Sequence, residues 1–278
     1  MGDPLLRFGI APPNWGAFGN PRHAAELASV AEQAGWHGYF TWDGLAVKDD
    51  PPPTYDPWVI LASVAAATER IRIGTCVAVV PRYKPHLLAM TLASLDVLSG
   101  GRLILGVGVG DWSAPRAFEA FGEPKDPHTR AEMLDEALDI ITRLWYGEAV
   151  KHHGKHYVVD DFALTATPVQ EPRIPIWVGG DSGAAMRRAA RWDGWIGPDD
   201  DPFDTSPEDV SSVRRRLEEA GASTDSFDIA WGGQTTPKHA DLVSLYSTAG
   251  ATWWIEILLG EREEILARVA VGSPSTNK

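Results

Sequence analysis

The chain has 278 residues, 44% of them hydrophobic and 23% charged, enough to bury the core of one α/β barrel of about 250 residues. Its 38 acidic against 25 basic residues give a net charge of -13, and no basic cluster is large enough to track a nucleic-acid backbone. Cys76 is the only cysteine, so no intrachain disulfide can form. No leader sequence precedes the first strand pattern and no apolar run reaches the ~18 to 20 residues of a membrane span, which leads us to expect a cytoplasmic protein with no membrane partner.

In chain order, residues 6–11 read as a strand, followed by the loop Pro12-Pro13-Asn14-Trp15-Gly16. Asn20 stands as an N-cap with Pro21 at the first helical position, and the apolar set Ala24, Leu27, Ala28 and Ala31 runs to Gly35. A second strand over 38–42 leads into Asp43-Gly44, and after Pro51, Pro52 and Pro53 the pair Asp56-Pro57 opens a helix through Thr68. Residues 71–80 read as one continuous, β-branched strand, as expected of a strand buried on both faces. A helix over 85–98 stops at Ser99-Gly100-Gly101, and a fourth strand covers 102–108.

Thr129-Arg130-Ala131-Glu132 has the pattern of a capping box, and the helix it opens carries Leu134, Ala137, Leu138, Ile141, Leu144 and Trp145 on one face. Residues 148–173 break the alternation with an irregular insertion, read as a hairpin, that holds His152, His153 and His156. These three histidines lack a carboxylate or thiol at ligand spacing, so no metal site is expected. Strands six, seven and eight are read at 194–196, 228–231 and 252–258. The helices near 207–220 and 237–249 have proline at the start and glycine past the end.

The fifth strand carries the most informative stretch, Ile174-Pro175-Ile176-Trp177-Val178-Gly179-Gly180-Asp181-Ser182-Gly183. A strand breaking through two glycines into a helix start brings unpaired backbone N–H groups and the positive end of a helix dipole together, and the Ser182 hydroxyl adds a donor. That is the chemistry of a phosphate site. A plain turn with a helix-capping serine has the same pattern, and both readings stand at this point. Eight strand–helix units indicate an α/β fold, a (β/α)8 TIM barrel with an irregular insertion before the fifth strand. An open doubly wound sheet is the alternative. In a barrel the loops after the strands would gather Asn14, Trp15, Trp42, Asp43, Cys76, Val77, Gly108, Asp111, Trp112 and the 179–183 turn.

Across about residues 7–197 the chain resembles the luciferase-like flavin-dependent oxidoreductases, a family that includes coenzyme F-420 (F420) dependent members. The segments that carry the resemblance include Ala31-Glu32-Gln33-Ala34-Gly35, Thr68-Glu69-Arg70-Ile71-Arg72-Ile73-Gly74-Thr75 and Leu95-Asp96-Val97-Leu98-Ser99-Gly100-Gly101-Arg102. Further on come Leu105-Gly106-Val107-Gly108, Pro168-Val169-Gln170, Trp177-Val178-Gly179-Gly180 and Asp193-Gly194-Trp195.

The resemblance implies one barrel domain over 1–278 and a homodimer. It implies a flavin phosphate at Gly179, Gly180, Asp181, Ser182 and Gly183 with Arg130 approaching it. It also implies a non-prolyl cis peptide near Cys76 and Val77 under the flavin ring, with Gly106, Gly108 and Gly110 letting the ring lie close. Cys76 is then a packing residue and not a nucleophile. Many members carry histidine after the second-strand aspartate, where this chain has Gly44. Asp43 and Asp111, with His152 or His153, are the candidates to replace its acid–base role. Asn14, Trp15, Trp42 and Trp112 form the expected substrate pocket, suited to a small apolar organic substrate.

The expected activity is a monooxygenase using reduced FMN and oxygen, supplied by a separate flavin reductase. Hydride transfer with F420 is one alternative, and a non-catalytic flavin-binding barrel is another. The polyanionic tail of F420 meets no evident basic rim in a chain of net charge -13, which weighs against it.

Overall fold

In the computed structural model, residues 6–45, 52–110, 116–198, 206–223, 226–235 and 240–274 are described. Eight parallel strands close on themselves: β1 (Arg7–Ala11), β2 (Gly38–Thr41), β3 (Arg72–Thr75), β5 (Leu103–Gly108), β8 (Ile176–Gly179), β9 (Gly194–Gly197), β10 (Asp228–Gly233) and β11 (Trp253–Ile257). The ring closes because β1 pairs with both β2 and β11, Phe8 opposite Trp254 and Ile10 opposite Glu256, and β3 pairs with β5, Ile73 opposite Leu103. The chain therefore forms the barrel, not the open sheet.

The wall is crossed by helices α1 (Pro21–Gln33), α2 (Pro57–Ala67), α3 (Pro85–Ser99), α5 (Pro127–Trp145), α6 (Gly183–Ala189), α7 (Pro207–Glu219), α8 (Ala240–Ala249) and α9 (Arg262–Ala270). Asn20 and Asp56 cap α1 and α2 as their sequences imply, each accepting from backbone N–H groups two or three residues on. At α5 the reading is corrected. Asp126 is the N-cap, accepting from the His128 and Thr129 amides with Pro127 in the first turn, so Thr129 lies inside the helix. A short helix α4 (Arg116–Glu119) and the closing α9 are additions to the sequence reading. The start expected for α8 at Thr236-Pro237 lies outside the described residues.

The run at 71–80 is not one strand. It breaks after Thr75 and resumes as a two-residue strand β4 (Ala78–Val79), which pairs with the end of β5. Periodicity could not show this, because the residues on both sides of the break are apolar.

Side chains inside the barrel come chiefly from Phe40, Trp177, Trp253, Ile104, Ile196 and Ile255. Phe40 stacks on Trp177 at 5.5 Å between centroids, and Trp253 meets both rings edge-on. Glycines on the same and neighbouring strands make the room. A Cβ on Gly38 would sit 2.6 Å from the Phe40 ring, and one on Gly194 would sit 2.5 Å from Trp177. These rings form a packed floor inside the barrel. Arg7 closes its lower end, stacking on Trp253 at 4.6 Å and pairing with Asp228.

Residues facing outward pack under the helices, and alternation along β11 puts Trp254 and Glu256 there. Glu256 is fully buried and accepts from the Thr235 amide at 2.8 Å, the Thr235 hydroxyl at 2.7 Å and the Trp254 indole at 2.9 Å, while also pairing with Arg268 of α9. One carboxylate therefore joins the last two units of the barrel. Among the described residues no helix is long and apolar enough to cross a membrane.

Removing this carboxylate would orphan two buried N–H donors and a guanidinium. Glu256→Ala should lower stability by about 3 kcal/mol in urea unfolding. A loss under about 1 kcal/mol would show that the network does not hold these units.

Candidate functional site

At the carboxyl ends of the strands the backbone of β3 lies against that of β5. Thr75 Oγ1 donates to the Gly106 carbonyl at 2.7 Å, and a Cβ on Gly106 would stand 2.0 Å from the Thr75 carbonyl oxygen. The next peptide, Cys76–Val77, is cis, as the resemblance implies. Val77 then seats in a notch cut by missing side chains, where Cβ atoms on Gly108 and Gly179 would meet its methyl groups at 2.7 and 3.2 Å. An apolar ledge thus spans the ends of β5 and β8. Burial pushes the Cys76 thiol up to about 12, so it stays protonated and acts as a packing residue.

Asp43 follows β2 and its Oδ2 accepts from the Val79 amide at 2.8 Å, holding β4 in place just past the break. Its carboxyl is buried, and burial pushes it up to about 6 against the opposing pull of the Val79 hydrogen bond and the Arg82 charge. Arg82 donates to the Asp43 carbonyl at 3.2 Å and lies over the Phe118 ring. Asp43 is therefore a brace for the ledge whose proton affinity also falls near neutral pH.

Asn14 is buried and bonds reciprocally with residue 44. Its Nδ2 donates to the Gly44 carbonyl at 3.0 Å, and its Oδ1 accepts from the Gly44 amide at 3.0 Å. It braces the mouth and does not line it. Trp15 and Trp42 meet edge to face at 5.3 Å, both partly exposed. Asp111 and Trp112 lie outside the described residues.

The turn after β8 shows the capping reading of its sequence. Ser182 Oγ accepts from the Ala185 amide at 3.1 Å and so caps α6. The carbonyls of the turn are tied outward, Gly180 to the Trp195 indole at 2.9 Å and Asp181 to Arg216 of α7. The C=O and N–H of a trans peptide point opposite ways, so these bonds turn the Asp181 and Ser182 amides away from β9 and α7. Beside the turn, Ala184, Arg187, Arg188, Arg191 and Asp135 line a cavity of about 330 Å³. Arg188 and Arg191 share Asp135, while Arg187 reaches within 3.5 Å of where a Gly183 side chain would begin. Although the chain is acidic overall, three arginines gather here around Asp135 on the outer flank of α6. Sequence reasoning missed Arg187, Arg188, Arg191 and Arg216, which carry no motif; Trp195 stood in a quoted segment but was not assigned to the site.

Arg130 is buried under this region. Its Nε donates to the Val109 carbonyl at 2.8 Å, its Nη1 donates to the Lys125 carbonyl at 2.8 Å, and its guanidinium stacks 3.9 Å over Phe118. It anchors the segment between β5 and α5. The insertion forms an antiparallel hairpin, β6 (Val150–His153) and β7 (Val158–Phe162), as expected. It is bonded to the flank of α5. His152 and His156 pair with Glu136 and Glu132 at 2.9 and 3.0 Å, and His153 is exposed on the same hairpin against α5.

Asp43 yields a measurable signature. Its folded-state proton affinity is raised, so its contribution favours the fold at acidic pH and is lost as pH rises from near 4 to near 6. The loss should reach ~3 kcal/mol and should vanish in Asp43→Asn, as read by urea unfolding of both proteins between pH 4 and 7. Parallel pH profiles for the two would refute the raised proton affinity.

The model of the luciferase-like monooxygenase family matches residues 8–246. An uncharacterized protein of Mycobacterium tuberculosis is 37% identical over 192 residues, covering 68% of this chain and 63% of that protein. An F420-dependent glucose-6-phosphate dehydrogenase of Microbacterium testaceum is 35% identical over 190 residues, covering 67% of this chain and 54% of that one. The chain thus spans less than two thirds of the length of these relatives. The coenzyme F420 dependent tetrahydromethanopterin reductase of Methanopyrus kandleri has the same fold, with a TM-score of 0.78 over 98% of this chain and 99% of that one at 18% identity. With a family match spanning the barrel from β1 into α8, this chain belongs to the luciferase-like monooxygenase family.

Proposed function

We propose that this protein is an oxidoreductase that transfers hydride between F420 and a small organic substrate with an apolar face. The observation that carries the reading is the Val77 ledge between Gly108 and Gly179, in a chain with F420-dependent relatives. The residues present fit such a group: a ledge without side chains to obstruct a flat ring, a turn with outward-tied carbonyls, and a basic cavity beside it. F420 supplies a carbon that gives and accepts hydride without activating oxygen.

The protein's part is support, anchoring and proton handling. Val77 and Cys76 support the ring, Gly179 to Gly183 with the Ser182 hydroxyl hold a phosphate, and Arg187 and Arg191 balance an anionic tail. Arg130 keeps the segment after β5 in place. Trp15 and Trp42 exclude water from the substrate side. The Asp43 carboxyl, held by the Val79 amide and the Tyr83 hydroxyl, is the group that takes up the proton that leaves when an alcohol carbon gives up hydride. A second reading, reduced FMN and oxygen with a flavin reductase as partner, is favoured by the family's monooxygenase members.

A homodimer fits the outer surface. α2 contains no charged residue and α3 only Asp96, which is buried, yet Val59 of α2 and Leu87, Met90 and Val97 of α3 are exposed. Helices apolar on every face are ones that another surface covers.

Anaerobic calorimetry separates the cofactor readings. F420 should bind in the micromolar range or tighter and reduced FMN much more weakly, and Ser182→Ala should cost about 1.5 to 3 kcal/mol of binding. Binding of FMN alone would favour the second reading, and binding of neither would remove the oxidoreductase assignment. In sedimentation velocity the protein should run as a dimer and Met90→Arg as a monomer. A monomeric wild type would sink the dimer.

A further inference from the structure

The mouth holds a side chain where the sequence has none. An ideal Cβ on Gly44 would stand 2.3 Å from Trp15 Cζ3, with Cη2 and Cε3 at 3.1 and 3.2 Å. The six-membered ring of Trp15 therefore fills the space in which a residue-44 side chain would begin.

This placement is built. The reciprocal Asn14–Gly44 bonds fix the two loops to each other on one side of Trp15. On the other side, Trp15 bridges Thr54, the Gly16 amide donates to the Pro53 carbonyl, and the Tyr55 amide donates to the Asn14 carbonyl. From below, the chain at Gly19 passes so close that a Cβ there would lie 2.7 Å from Trp15 Cα. The edge-to-face contact with Trp42 orients the ring itself.

We propose that Trp15 is the specificity-determining residue of the mouth, standing in the side-chain place of position 44 and selecting substrates whose reacting end carries a flat aromatic or conjugated group. An indole presents a broad, rigid, non-titrating surface, and flat apolar groups stack on it or meet it edge-on more favourably than puckered saturated ones of equal size. An indole N–H donates a hydrogen bond but does not exchange a proton near neutral pH, so the choice of substrate and the handling of the proton fall to different residues, Trp15 and Asp43. The proposal rests on the oxidoreductase reading for its substrate, and on geometry alone for the exchanged place.

Two measurements on the full chain test it. In thermal unfolding, Gly44→Ala should lower the midpoint by several degrees, and Trp15→Ala/Gly44→Ala should show little further loss beyond Trp15→Ala. Additive losses in this cycle would mean that the ring does not occupy the place of position 44. In ligand-observed NMR, acetophenone should bind several-fold tighter than cyclohexyl methyl ketone. Trp15→Phe should keep most of that preference and Trp15→Ala should lose it. Equal binding of the two ketones, no binding of either, or a preference unchanged in Trp15→Ala overturns the selecting role. Neither measurement needs a cofactor, so failure of the F420 assignment leaves both outcomes readable.

Discussion

The site depends on the backbone contact between β3 and β5. Gly106 lets the Thr75 carbonyl lie where a side chain would otherwise stand, and the Thr75 hydroxyl bonds across the same gap. Only with the strands that close can the next two residues leave the strand, turn through the cis peptide and lay Val77 across Gly108 and Gly179. Asp43 then catches the chain on its return at Val79, and Arg82 ties Asp43 to the segment around Phe118. One missing methyl group on β5 thus sets the height of the ledge and the position of the residue beside it.

The barrel was legible because its signals are local. Asn20-Pro21 and Asp56-Pro57 mark helix starts by the chemistry of one turn, and β-branched runs between glycines mark buried strands. Several of the segments that carry the family resemblance are polar staples at the lower rim. Glu32 accepts from the amides of Glu69, Arg70 and Ile71, Arg102 donates to the carbonyls of Ala65, Thr68 and Ile71, and Asp96 accepts from Val169 and Gln170. They identify the scaffold because they hold the loops that build it. They lie away from the strand ends where a substrate would sit.

What was hidden depends on contacts distant in sequence. Residues 71–80 look continuous because the break is enforced by glycines on β5 and β8, not by anything inside the run. Thr129 to Glu132 mimics a capping box, but Glu132 is spent on Lys155 and His156 of the hairpin and Asp126 caps the helix. The guanidinium of Arg130 is engaged by carbonyls from two loops that its sequence position does not show. The arginines at 187, 188 and 191 are close together in sequence, but their shared partner Asp135 lies on another helix.

The Trp15 and Gly44 arrangement also constrains how this mouth can change over successive substitutions. A side chain cannot arise at position 44 while the indole is in place, whereas a smaller residue at position 15 opens a space that position 44 can then fill. The permitted order runs one way, through loss of the tryptophan first. A histidine-bearing mouth and this one are therefore separated by an intermediate that has neither wall, and a lineage that acquires the tryptophan is held on its side of that gap by sterics alone.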